Sequence, residues 1–131
     1  MLQKIIFNNE RNLSLFIHDS LIAINKHLSI TTEIIKSSSI YQNKNLRAQD
    51  KILDICTKEN ATEYINPIGG TELYEKEKFT KKNVALFFLK TDEIRYEQFK
   101  NKFIPGLSII DVLMFNSAQT IQEYLKRYTL Q

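Results

Sequence analysis

This sequence contains few of the residues and patterns that mark special classes of protein. Its 131 residues include three glycines and two prolines, which excludes collagen-like and low-complexity chains. A single cysteine, Cys56, cannot form an internal disulfide bond, which favours a reducing compartment that we expect to be the cytoplasm. The longest uninterrupted apolar run, Val84 to Leu89, is much shorter than the roughly 20 residues of a membrane-spanning helix. We therefore expect no membrane span.

The charge of the chain is weak and mixed in sign. The sequence carries 18 basic and 15 acidic residues, a net charge of +3, and both signs are scattered along it. Such a balance does not indicate nucleic acid or an anionic membrane as a partner. Hydrophobic residues make up 43% and charged residues 25%, as in an ordinary globular protein. We therefore predict a single domain over residues 1–131, long enough to bury a core.

The spacing of apolar residues alternates between helical and strand patterns. Short apolar or β-branched runs predict strands at Ile30–Ile35, Thr62–Ile65 and Val84–Leu89. Three- and four-residue spacing, together with capping residues, predicts helices at Asn12–His27, Leu46–Asn60, Thr71–Phe79, Ser108–Phe115 and Ser117–Tyr128.

Strands that alternate with helices indicate right-handed crossovers between parallel strands. We therefore predict an α/β fold with a small parallel sheet of about three strands, flanked by helices, with the C-terminal helices packed on it. The uniformly apolar run Val84–Leu89 predicts a strand that is covered on both faces. Three strands make a narrow sheet with two open edges.

Polar residues near the predicted helix ends have local explanations. Asn12 and Ser117 are expected to be N-caps, and Ser108 with Asp111 resembles a reciprocal capping box. Asn116 can take the left-handed turn that ends a helix. No metal site or cofactor is predicted, since the histidines fall on different faces of one helix and Cys56 lies on an apolar stripe.

A glycine pair lies where the second predicted strand gives way to a helix, in the run Asn66-Pro67-Ile68-Gly69-Gly70-Thr71. Backbone amides of paired glycines can approach an anion closely, so Asn66, Gly69, Gly70 and Thr71 could hold the phosphate of a nucleotide or sugar. A tight turn that needs positive φ at glycine, with Asn66 and Thr71 as caps, explains the same residues. Tyr74, just beyond, is expected to line a pocket.

A polar cluster, Arg47, Gln49, Asp50 and Lys51, lies at the start of the second predicted helix. Arg47 and Lys51 are one helical turn apart and could bind a phosphate or carboxylate, while Asp50 could orient a hydroxyl or an amine. An acidic residue near a helix start also has an ordinary explanation, because it complements the helix dipole.

The predicted sheet would bring these polar patches together. The carboxyl ends of parallel strands meet at one edge, where open α/β sheets bind their ligands. We therefore expect the glycine loop and the cluster at Arg47 to be neighbours, with the polar residues of the 108–116 segment near them.

Several short blocks carry a likeness to a known family. They are Arg47-Ala48-Gln49-Asp50-Lys51-Ile52, Thr62-Glu63-Tyr64-Ile65-Asn66, Gly69-Gly70 with Leu73-Tyr74, Phe103-Ile104-Pro105-Gly106-Leu107-Ser108-Ile109-Ile110-Asp111 and Met114-Phe115-Asn116. By the order and spacing of these blocks, the chain from about Thr32 to Leu125 resembles the WbqC-like protein family.

The resemblance implies a biological setting. Family members are longer and begin with a segment containing Gln-Pro-Tyr and Pro-Tyr-x-Gly-Tyr, which this sequence lacks, so the chain is expected to correspond to their C-terminal portion. The family is associated with bacterial surface-polysaccharide (lipopolysaccharide O-antigen) gene clusters. This suggests a transferase-type enzyme acting on a nucleotide sugar or a lipid-linked amino sugar. In it the loop at Gly69 and Gly70 would hold the phosphate, and Arg47 and Asp50 would position the acceptor.

A non-catalytic role is the alternative. With the leading segment absent and both sheet edges open, the chain could be a truncated interaction module that forms a homodimer by completing its sheet between protomers.

Overall fold

The computed structural model of the protein describes residues 1–100 and 102–131. The strands are β1 (Glu63–Pro67), β2 (Ala85–Thr91) and β3 (Tyr128–Leu130). Two 3₁₀ turns span Ser38–Tyr41 and Ile68–Leu73. The helices are α1 (Leu2–Ile6), α2 (Leu13–His27), α3 (Ala48–Lys58), α4 (Lys76–Thr80), α5 (Ile109–Phe115) and α6 (Ala118–Tyr124). Among the described residues, no helix has the length and apolar character needed to cross a membrane.

The chain forms two compact units. The sheet unit comprises Ser37–Asp92 and Tyr128–Gln131, and the helical unit comprises Met1–Lys36 and Glu93–Arg127. The sheet, α3 and α4 lie in the sheet unit, while α5 and α6 belong to the helical unit. The packing of the C-terminal helices on the sheet and the single domain over 1–131 both stay predictions.

The sheet has the order β1-β2-β3 and is mixed. β1 runs parallel to β2, with Tyr64 opposite Leu86. β3 runs antiparallel to β2, with Leu89 opposite Leu130. The α/β class and the parallel pair are therefore confirmed, and the prediction of a wholly parallel sheet is wrong. The third strand comes from the end of the chain, and Gln131 exchanges both backbone hydrogen bonds with Phe88, at 2.9 and 3.0 Å, as antiparallel strands do.

The predicted strand at Ile30–Ile35 is wrong. The amide of Ile30 donates to the carbonyl of Asn25 at 2.8 Å, after a left-handed turn at Ser29, and so closes the end of α2. Ile34 and Ile35 instead line a groove beside α2. β-Branched residues favour a strand only where a partner strand is available.

Three predicted N-caps are confirmed, whereas the predictions of how the last two helices end are wrong. Asn12 caps α2, Ser108 caps α5 and Ser117 caps α6, each accepting a hydrogen bond from a backbone amide of the first turn. Asn116, however, is extended (φ −131°) rather than left-handed. The last helix ends at Tyr124 instead of Tyr128, because the chain beyond it enters β3.

Phe79 is the centre of the core of the sheet unit. It is fully buried, and the buried side chains clustered with it are Leu53, Cys56, Val84, Leu86 and Phe88. Leu86 and Phe88 alternate along β2 with Phe87 and Leu89, which are only half-buried. The prediction that this strand is covered on both faces is therefore wrong. Cys56 is confirmed as a core residue, and burial raises the pKa of its thiol.

Candidate functional site

The polar turn of the sheet unit begins at the carboxyl end of β1. The strand continues through Asn66 and Pro67, further than predicted, and passes directly into the 3₁₀ turn Ile68–Leu73. The carbonyl of Thr62 accepts from the amide of Ala85, and alternate residues of a parallel strand bond to the same neighbour. Pro67 therefore faces the open edge of the sheet, where its missing N–H breaks no ladder bond.

The predicted helix from Thr71 to Phe79 is divided in two. Thr71 lies inside the 3₁₀ turn and caps nothing, and the residue before α4 is Glu75. Tyr74 has an extended backbone (φ −132°, ψ 137°) that interrupts any continuous helix.

The two glycines differ in what surrounds them, and neither has a positive φ. The explanation of the pair by positive φ is therefore wrong. Gly70 is buried, and a Cβ there would collide with the side-chain amide of Asn66 and lie 3.6 Å from Cε2 of Tyr74. Gly69 is exposed, and a Cβ there would meet nothing within 4 Å. Close packing thus requires glycine at position 70, whereas position 69 is open.

Two tyrosines connect this turn to the core. The hydroxyl of Tyr64 donates to Oδ1 of Asn66 at 3.3 Å and lies 3.2 Å from the hydroxyl of Tyr74. Both rings pack on Phe79, with centroids 5.5 and 5.8 Å away. Burial, reinforced by the Tyr74 hydroxyl, raises the pKa of Tyr64 far above its usual value. Tyr64 therefore stays protonated, and it orients Asn66 against Gly70.

Gln49 joins the start of α3 to the end of this turn. Its Nε2 donates to Oε1 of Glu75 at 2.8 Å, and its Oε1 accepts from the amide of Glu75 at 3.1 Å. An ion pair with Lys78 at 3.0 Å and the bond from Gln49 lower the pKa of Glu75, so the group stays an ionised acceptor. The predicted cluster at Arg47 and the predicted glycine loop are thus joined through Gln49.

The charged members of the cluster have other surroundings. Among the described residues, none forms a side-chain hydrogen bond or an ion pair with the side chains of Arg47, Asp50 or Lys51. Asp50 lines a pocket of about 290 Å³ beside α3 that the glycine loop does not line. The other residues lining it are Leu46, Leu53, Asp54, Thr57 and Lys82.

Ala48 has a left-handed backbone between Arg47 and Gln49. Its φ is +46°, a region that L-residues with a Cβ avoid at a cost of about 1–2 kcal/mol. Strained backbone of this kind persists where surrounding contacts fix it, and here the Gln49–Glu75 bonds lie directly beside it.

The third predicted patch lies in the helical unit. Ser108 caps α5, but Asp111 does not cap in return, because its carboxylate accepts hydrogen bonds from the loop before α5. Nδ2 of Asn116 donates to the carbonyl of Val112 at 2.9 Å. The proximity of this patch to the other two stays a prediction. Within residues 1–100 and 102–131, no group of three or more His, Cys, Asp or Glu side chains is placed to hold a metal ion.

Two residues of this site were not among those predicted. Glu75 had no recognisable signal, since its partner lies 26 positions away. Tyr64 does have a signal in the sequence, because the alternation of side chains along β1 places it on the same face as Asn66.

The mixed sheet and the helices that accompany its strands define the chain as an α/β protein. The chain belongs to the WbqC-like protein family, which matches residues 1–123. The match includes α1 and α2, which precede the segment 32–125 that carried the resemblance, and it ends at residue 123, near the end of that segment. No curated protein and no solved structure matches the chain.

Substituting the two glycines tests the packing at the turn. We expect Gly70→Ala to lower the free energy of unfolding by about 1 kcal/mol, because it displaces the Asn66 amide from its hydrogen bonds. Gly69→Ala is the matched control and should be neutral or slightly stabilising. Urea unfolding gives both values. Equal losses from the two variants would contradict the packing role of Gly70, as would a failure of Asn66→Ala to reduce the cost of Gly70→Ala.

Proposed function

We propose that the protein binds a nucleotide-activated or lipid-linked amino sugar and acts as a transferase-type enzyme in bacterial surface-polysaccharide (lipopolysaccharide O-antigen) biosynthesis. Membership of the WbqC-like family supports the setting, through the association of that family with such gene clusters. The observation that carries the chemistry is the pair of hydrogen bonds between Gln49 and Glu75. They hold the start of α3 beside the turn that follows β1.

The phosphate of the substrate would bind at the start of α3. Arg47 is exposed, Lys51 is half-buried one helical turn further on, and neither is paired with a described residue. Two such cations and the free amides of a helix start form a suitable phosphate site. Gly69 and Thr71 are exposed on the turn, and their backbone amides would contribute to binding.

The remaining residues would take positioning roles. Gln49 holds the turn, Gly70 admits the Asn66 amide, and Tyr74 fixes the turn to the core. Asp50 would orient an acceptor hydroxyl or amine, since its carboxylate has no side-chain partner among the described residues and lines the pocket of about 290 Å³ beside α3. A transfer of this kind needs an acceptor group held next to the activated sugar.

Arg47→Ala tests the phosphate site. We expect the Kd for nucleotide sugars to rise roughly ten-fold, because a charged hydrogen bond to phosphate is lost. Lys44→Ala is the matched control, an exposed cation shortly before Arg47 in the same unit, and should leave the Kd unchanged. Isothermal titration against a panel of nucleotide sugars measures both. Binding that survives Arg47→Ala unaltered would exclude the proposed site.

An open sheet edge favours a second candidate, a non-catalytic module that forms a homodimer. β1 is one of the two edge strands of the described sheet, and alternate residues, including Ile65, direct their backbone groups away from β2. The Ile65 side chain is 46% exposed. A second copy of β1 could pair along this edge, although Pro67 would limit the pairing to its first part.

Sedimentation velocity distinguishes this candidate. A module that pairs through β1 should associate with rising concentration, and Ile65→Lys should keep it monomeric, because a charged residue on an edge strand opposes pairing. Leu73→Lys, at a similarly exposed apolar residue in the 3₁₀ turn, should not prevent association. A chain that is monomeric at every concentration would exclude the homodimer.

A further inference from the structure

A loop in the helical unit is closed at its base by one buried side chain. Gln98 is only 7% exposed; its Oε1 accepts from the amide of Ile104 at 2.7 Å and its Nε2 donates to the carbonyl of Ile104 at 3.1 Å. The same Nε2 donates to Oδ2 of Asp111 at 2.8 Å, which fixes the loop to α5. Gln98 therefore joins the two ends of the loop, and the described residues Phe99, Lys100, Lys102 and Phe103 lie between them in the sequence.

The loop holds apolar side chains at its surface. Phe99 is 69% exposed and Ile104 is 57% exposed. The ring of Phe99 makes an edge contact with the ring of Phe115, with centroids 4.6 Å apart. The backbone of Phe99 is left-handed (φ 50°). A bulky residue rarely adopts that conformation, so Phe99 is held in place while most of its ring remains in water. Phe103, by contrast, packs against Tyr96.

Two lysines accompany these apolar residues. Lys100 and Lys102 are exposed, and no described residue forms an ion pair with either of them. The nearest acidic residue in the sequence, Glu97, precedes the closed loop. Two lysines without an ion-pair partner among the described residues lie between an exposed aromatic residue and an exposed aliphatic one, and this combination matches the surface of an anionic bilayer. Apolar side chains insert at the boundary between the headgroups and the acyl chains of such a bilayer, and lysine side chains bind its anionic headgroups.

We propose that this loop binds the surface of an anionic lipid bilayer, with Phe99 and Ile104 entering the interfacial region and Lys100 and Lys102 contacting the lipid phosphates. The net charge of the whole chain does not reveal such a site, because it averages over both signs. The proposal concerns only the helical unit and is independent of the chemistry proposed for the sheet unit.

The absence of tryptophan from the sequence permits a direct test on the full chain. Phe99→Trp introduces a single tryptophan at the loop, and Phe7→Trp is the matched control at another exposed phenylalanine (77%). With phosphatidylglycerol vesicles, we expect the emission of the Phe99→Trp protein to shift to shorter wavelength and that of the control to stay constant. Phosphatidylcholine vesicles should cause no shift, and added salt should reverse the shift. Equal shifts at both positions, or none at position 99, would overturn the proposal.

Vesicle sedimentation provides a second measurement. Phe99→Ser should weaken binding to phosphatidylglycerol vesicles roughly ten-fold, since the apolar contact of one aromatic ring is lost. Lys100→Glu with Lys102→Glu should also weaken it, and Phe7→Ser should not. Circular dichroism confirms that each variant is folded. A wild-type chain that does not sediment with these vesicles would overturn the proposal. This holds even if Phe99 then proves to be required for binding another protein.

Discussion

The side-chain amide of Gln49 is the interaction on which the candidate site depends. It joins two parts of the chain that are 26 residues apart, one before β1 and one after it. An amide can donate and accept at once, so a single side chain satisfies both the carboxylate and the backbone amide of Glu75. This pair adds a polar link to the apolar contacts of the core, in which Leu53 and Cys56 of α3 cluster with Phe79 and Tyr74 packs against them. It therefore fixes the first turn of α3 to the residue before α4, just after the polar turn.

The turn itself is held by the core. Phe79 is buried beneath β1 and β2 and supports the rings of Tyr64 and Tyr74. Their hydroxyls, together with Asn66, form a short polar network that ends at the buried face of Gly70. The polar turn is therefore connected directly to the apolar core, and the close packing of the core restricts the movement of the turn. A rigid turn would favour the phosphate binding that we propose, because groups that are already fixed lose little entropy on binding.

The sequence predicts elements whose signal is local, and it fails where a distant partner decides the structure. The helices α2 and α3 and the strands β1 and β2 agree with the predictions because the spacing of their apolar residues is a local signal, even though α2 has no fully buried residue. The run Ile30–Ile35 has the composition of a strand but has no partner strand, whereas Tyr128–Leu130 becomes a strand because β2 is available to pair with it. The role of Gly70 depends on the side chain of Asn66 and was not visible in the glycine pair itself.

A double-mutant cycle between Gln49 and Glu75, followed by urea unfolding, tests the central claim most directly. If the two side chains hold the turn to α3, Gln49→Ala and Glu75→Ala together should destabilise the chain by less than the sum of their separate effects. Gln49→Ala with Glu72→Ala, an exposed acid inside the 3₁₀ turn, should be additive. Additive effects in the Gln49 and Glu75 cycle would contradict the account.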